Sequence, residues 1–111
     1  MLPKHRRLST REFAFVVDNG LETHSPLFVV KHIPADSFKF SPTAPKKIFK
    51  TAISRNNIRR RIYAAVREIA STNNVKPHFV VLIVKKDIPD LDSLRLARVL
   101  NDLFVQAHLI E

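Results

Sequence analysis

"HFVVLIV", residues 78–84, sets six apolar side chains in a row behind one histidine. A strand with one face in water alternates apolar and polar residues, and this one does not. An unalternating β-branched and aromatic run is the pattern of a strand buried on both faces, inside a sheet that helices cover. The run is far too short to span a membrane, which takes about 20 residues. The segments on either side must therefore supply the layers that bury it.

Upstream lies "ISRNNIRRRIYAAVREI", residues 53–69. Ile58, Ile62, Ala65, Val66 and Ile69 recur at helical spacing and make one buried face. Thr51 or Ser54 can cap its start, and "TNNVKP" (72–77) ends it. Downstream, a second amphipathic helix opens near Asp92 and carries Leu96, Val99, Leu100, Leu103, Phe104 and Ala107. Asp87, Asp90 and Asp92 read as turn formers and a cap for that helix rather than as metal ligands.

The first half is richer in strands. "SPLFVVKHIP" (25–34) is β-branched, aromatic and bounded by prolines, and "DSFKFSP" (36–42) alternates Phe38 and Phe40 with polar neighbours. The turn-forming "PAD" between them predicts a hairpin. Two prolines in "SPTAPKK" (41–47) restrict it to a loop or a sheet edge. Before these, Ser9 and Glu12 form a capping box, with Leu8 and Phe13 at the spacing of a hydrophobic staple. Phe13, Val16 and Val17 continue as an apolar stripe, predicting a helix over 10–18. Gly20, the only glycine, stands where a left-handed C-terminal cap is expected. The order is α-β-β-β-α-β-α. The fold class is α+β, one domain over residues 1–111, with a small mixed sheet packed with three helices.

Composition bounds the function. Nineteen Lys and Arg against ten Asp and Glu give a net charge of +9 in 111 residues, which favours a polyanionic partner. Residues 1–86 hold 17 basic and 5 acidic side chains, and residues 87–111 hold 2 and 5, so the cationic surface excludes the C-terminal segment. Cysteine is absent, which excludes disulfides and thiolate zinc sites. "FAFVV" (13–17) is too short for the apolar core of a signal peptide, so a cytoplasmic location with no membrane association is expected.

The helix at 53–69 concentrates that charge. Five arginines fall between Arg55 and Arg67, and no carboxylate occurs from Ser37 to Arg67. On a helical wheel Asn56, Arg59, Arg60, Tyr63 and Arg67 share one continuous arc flanking the apolar face. Arg55 lies at the edge of that face, and Arg61 points to the other side, towards Glu68. A solvated basic face is the simplest meaning of a charge run. Missing local carboxylates, one shared arc and arginine rather than lysine point instead to phosphate binding. Eight phenylalanines add candidates for base stacking, Phe28, Phe38 and Phe40 among them, although phenylalanine at strand spacing is most often core. The five histidines show no metal-binding spacing and no catalytic constellation is present. Chemistry, if any, lies outside this chain.

Taken together, "LPKHRRLSTREFAFVVDNG" (2–20), "RNNIRRRI" (55–62) and "HFVVLIVKKDIPDLDSLRLARVLNDLF" (78–104) resemble the bacterial ribonuclease P protein component over essentially the whole chain. Arg55-Asn56 matches the start of that family's arginine-rich signature and Arg59-Arg60 its basic pair. Lys47 falls where the family has a lysine before the helix, and Phe13 matches the aromatic of the first helix. The chain departs from the pattern at Asn57, Tyr63, Lys50, Val17, Lys31 and the proline-bearing strand. The resemblance implies a left-handed βαβ crossover. It also implies that Lys47, Lys50, Arg55, Asn56, Arg59, Arg60, Tyr63 and Arg67 bind the catalytic RNA. A cleft including Phe13, Val17 and Phe28 would hold the 5′ leader of precursor tRNA. Cleavage would be carried out by the RNA with Mg2+, the protein acting as a monomeric, non-catalytic subunit.

Other classes fit less well. A ribosomal or RNA-chaperone-like protein would share the charge without depending on one structured RNA. A helix-turn-helix DNA binder needs two adjacent helices, which the strand-rich first half does not offer.

Overall fold

The computed structural model describes residues 3–88 and 91–111. At its centre is β4 (His78–Val84), paired antiparallel with β2 (Phe28–Pro34) and parallel with β3 (Lys39–Thr43). β1 (Leu21–His24) joins the outer edge of β2, giving the sheet order β1-β2-β4-β3. Parallel neighbours require a crossover, and α2 (Ala52–Thr72) supplies it between β3 and β4. α1 (Thr10–Asn19) precedes the sheet and α3 (Ser93–Gln106) follows it.

The apolar run at 78–84 is buried from both sides, as its lack of alternation predicts. Val80, Leu82 and Val84 join Phe28, Val30 and Phe40 in the main core under α2 and α3. Val81 points the opposite way, and it and Val16 of α1 are both fully buried outside that cluster. The sheet thus has a thick layer on one face and the single helix α1 on the other.

The element order is the expected one, but the strands before α2 are divided differently. β2 and β3 do not form a hairpin; β4 lies between them. Residues 35–38 bridge the gap, passing the end of β4, where the Ala35 N–H donates to the Pro77 carbonyl at 3.0 Å. Four extended residues reach about 13 Å, enough to cross two strand spacings of about 4.8 Å. The true hairpin is β1–β2, and its first strand, "LETH", is polar and largely exposed, so it carries no apolar alternation to announce it. Pro42 does sit in an edge strand, β3.

Gly20 is also needed for a different reason than expected. Its φ of −73° is not left-handed. A Cβ there would lie 2.7 Å from the Val16 carbonyl oxygen and 3.1 Å from the His32 backbone, so glycine permits the end of α1 to press against β2. The caps behave as read. Ser9 and Glu12 exchange both capping-box bonds, Thr51 caps α2, and the Asp92 carboxylate accepts from the Arg95 N–H at 2.8 Å. Asp90 lies outside the described residues.

One polar group enters the core face. His32 is 7% exposed, its ring 5.7 Å from that of His78, and neither Nδ1 has a hydrogen-bond partner. Burial first, then the charges of His78 and His108, lower the His32 pKa below 6.5. Burial lowers that of His78, against a hydrogen bond to the Lys76 backbone that raises it and with a smaller lowering by the Lys76 charge. The folded state thus favours neutral rings, while an unfolded chain protonates them near the ordinary value. Their contribution is fully present above pH 6.5 and is lost as pH falls through the lower folded values. Thermal unfolding followed from pH 7.5 downward should show a melting temperature that drops below about pH 6.5. His32→Leu should flatten that drop, and an unchanged profile would remove the histidine pair as its cause.

Candidate nucleic-acid interface

α2 places its arginines by local spacing. Ile58, Ile62, Val66 and Ile69 anchor one side in the core, leaving Asn56, Arg60 and Arg67 exposed and Arg59 partly so. The Arg59 guanidinium donates to the Asn56 side-chain oxygen, joining two members of the arc. Among the described residues, no carboxylate pairs with Arg55, Arg59, Arg60, Arg61 or Arg67. No acidic residue occupies the first turn either, so the positive end of the helix dipole adds to the side-chain charge. Lys47 and Lys50 are exposed on the segment leading into the helix.

The five arginines divide into two sets that helical spacing alone does not separate. Arg55 donates to the Phe49 carbonyl at 2.9 Å, closing the helix onto its lead-in segment. Arg61 turns away from Glu68 and donates to the carbonyls of Ile88 and Leu91. Arg59, Arg60 and Arg67 retain solvent-facing charge.

Two expected contact residues are not where the wheel and the resemblance put them. Tyr63 is buried, packed edge-on against Phe40 with ring centroids 6.0 Å apart. Burial raises its phenol pKa, so it is a neutral hydroxyl, hydrogen-bonded to the Ser41 side chain. An aromatic ring at this position can turn inward and fill space beside β3, which an arginine would leave for solvent. Phe28 is fully buried under α2 and α3 and cannot line a cleft on the α1 face. Phe38 and Phe40 are sealed in the same core, which removes the proposed stacking platform.

Phe13 and Val17 are partly exposed, one turn apart on the same flank of the Val16 anchor. Lys31, on the strand facing them, is fixed by the Val17 carbonyl at 3.2 Å and the Glu22 carboxylate at 3.1 Å. A cation at the C-terminal end of α1 also offsets the negative end of its dipole. On the other flank, Glu12 pairs with Lys39 at 3.0 Å, and the Ser9 N–H, then Lys39, hold its carboxyl below the usual range. Lys39 also lies 5.5 Å from the centre of the partly exposed Phe79 ring. Arg7, Ser9, Glu12, Lys39, Ser41 and Tyr63 border a concavity of about 460 Å³ on that flank. Sequence reading missed it because Lys39 and Ser41 meet α1 only through the register of β3 on β4.

A sheet with α1 on one face, and an arginine helix crossing between β3 and β4 on the other, can be compared with known proteins. The family model for ribonuclease P matches residues 2–108. The chain belongs to the ribonuclease P protein family. The ribonuclease P protein component of a Synechocystis strain is 34% identical over 99% of this chain and 91% of its own length. That of Mycoplasmopsis pulmonis is 30% identical over 75% of this chain and 73% of its own. Among solved structures, a Staphylococcus aureus RNase P protein superposes with a TM-score of 0.76 at 19% identity, covering 96% of this chain and 98% of that one. The Thermotoga maritima RNase P protein gives 0.74 at 23% identity over 87% and 94%. The ribonuclease P protein fold is therefore retained here although Tyr63, Lys31 and Asn57 depart from the family pattern. No helix among the described residues is long and apolar enough to cross a membrane.

Proposed function

We propose that this chain is the RNA-binding subunit of ribonuclease P, which joins the catalytic RNA through α2 and assists 5′ maturation of precursor tRNA. The carrying observation is the exposed arc of Asn56, Arg59, Arg60 and Arg67, which no carboxylate among the described residues neutralises. RNA phosphates supply that missing charge, and arginine forks bind them bidentately. Lys47 and Lys50 extend the contact at the entry to the helix, and Phe13 and Val17 offer an apolar flank to single-stranded leader. In this reading the subunit acts as a cytoplasmic monomer.

The chemistry is assigned to the RNA. Among the described residues no three His, Asp or Glu side chains gather as a metal cage. In this reading magnesium is held mainly by the RNA, and the protein contributes positioning and charge.

The test is Arg59→Ala with Arg60→Ala. Each lost phosphate contact reduces the slope of log K against log salt by about 0.7–0.9, so the double variant should flatten it by about 1–2. Its melting temperature should stay within a few degrees, since exposed substitutions cost about 0.5 kcal/mol or less. Unfolding with an unchanged slope would make these arginines structural.

A further inference from the structure

Arg61 behaves unlike its neighbours in α2. Its guanidinium forks onto the carbonyl oxygens of Ile88 and Leu91, 27 and 30 residues away, on the connection from β4 to α3. Ile88 is buried in the main core. The start of that connection is therefore held against the N-terminal half of α2 by one fork and one apolar anchor.

Two lysines precede the anchor. Lys85 and Lys86 are both exposed, and neither pairs with a carboxylate among the described residues. The Lys85 backbone N–H donates to the Leu27 carbonyl at 2.8 Å and its ammonium to the Ser25 carbonyl at 3.0 Å. These bonds fix the chain from the β1–β2 side. An ammonium has three donors, so Lys85 can still take a phosphate oxygen. Across the same end of α2, the lead-in segment exposes Lys46, Lys47 and Lys50. Between the two segments is a concavity of about 260 Å³ bordered by Phe49, Ser54, Asn57, Ile58, Arg61 and Asp87. Asp87 is its one carboxylate, so phosphates are drawn to the lysine rim rather than to its floor.

We propose that Arg61 is a positioning residue: it latches the β4–α3 connection onto α2, so that Lys85 and Lys86 form a second phosphate-binding element for the catalytic RNA. The proposal rests on the reading of α2 as the RNA-binding helix and adds a surface contributed by a segment distant in sequence. The Arg61 guanidinium is turned onto two backbone carbonyls and its side chain is only partly exposed. Its effect on RNA is transmitted through the lysines it holds in place.

The experiment measures binding of the catalytic RNA from the same genome over a range of salt, with melting temperature as a fold control. Lys85→Ala with Lys86→Ala should flatten the salt slope by about 1–2. Arg61→Met should flatten it by up to that amount, less where Lys85 keeps its own bonds to Leu27 and Ser25. The triple variant should be no flatter than the lysine pair alone, because both changes act on the same contacts. Arg61→Lys keeps the charge but loses the planar fork, so it should follow Arg61→Met and also serves if the methionine variant does not fold. The proposal is overturned if the lysine pair leaves the slope unchanged. It is equally overturned if Arg61→Lys restores the slope or the triple variant loses a further unit, since Arg61 would then bind phosphate directly. Failure of the underlying reading looks different: Arg59→Ala with Arg60→Ala would also leave the slope untouched.

Discussion

Freed of RNA, the protein should leave precursor tRNA uncut, with 5′ maturation appearing only when the catalytic RNA of the same genome is added. The expectation is all-or-none because the proposed function assigns the chemistry to the RNA and gives the protein a binding role. The titratable groups shifted by burial are His32, His78 and Tyr63, held neutral within or beside the core. The protein's contribution should be largest at limiting magnesium. Two RNAs repel each other, and a partner carrying +9 replaces part of the cation atmosphere that high magnesium otherwise supplies. Single-turnover cleavage across a magnesium series, with and without protein, checks this. A nuclease-treated, RNA-free preparation that still matures the 5′ end would defeat it.

Phe40→Ala should be among the most damaging single changes for folding. The ring is fully buried, 6.0 Å from Tyr63, 6.2 Å from Phe104 and 6.4 Å from Phe38, measured between centroids. It joins β3 to α2 and α3 at once. Removing such a ring costs about 3–5 kcal/mol through lost burial and an unfilled cavity. A domain of this size has only about 5–15 kcal/mol of stability, so the melting temperature should fall by more than about 10 °C. Phe13→Ala, on the partly exposed flank of α1, should shift it far less and act on leader-dependent binding. If Phe40→Ala instead kept its melting temperature and lost RNA affinity, that ring would be a stacking surface after all.

Much of the fold is legible in the sequence where the deciding interactions are short-range. Ser9 with Glu12, Thr51 with Ser54 and Asp92 with Arg95 are each three residues apart; the first is the capping box that its spacing predicts, and Thr51 and Asp92 are caps drawn from the candidates beside them. The buried stripe Ile58, Ile62, Val66 and Ile69 follows from a period of 3.6, and with it the exposure of Asn56, Arg60 and Arg67. The unalternating 78–84 run required helices on both faces of the sheet.

Strand partners were not legible, because a strand's own pattern says which face is apolar and nothing about its neighbour. Phe38 and Phe40 reach the main core equally well from a hairpin or from the far side of β4. Only the tertiary structure, with α2 returning the chain as β4 between β2 and β3, decided which. The same limit applies to the site. Helical period placed Tyr63 on the arginine arc, but the space beside Phe40 drew its ring inward. It placed Arg61 near Glu68, but carbonyls 27 and 30 residues away took its guanidinium. Charge, caps and helix faces were set by residues within one or two turns of each other. Strand order, the sealed phenylalanines and the division of the arginines were set by contacts between distant segments, where packing and hydrogen-bond satisfaction outweigh local spacing.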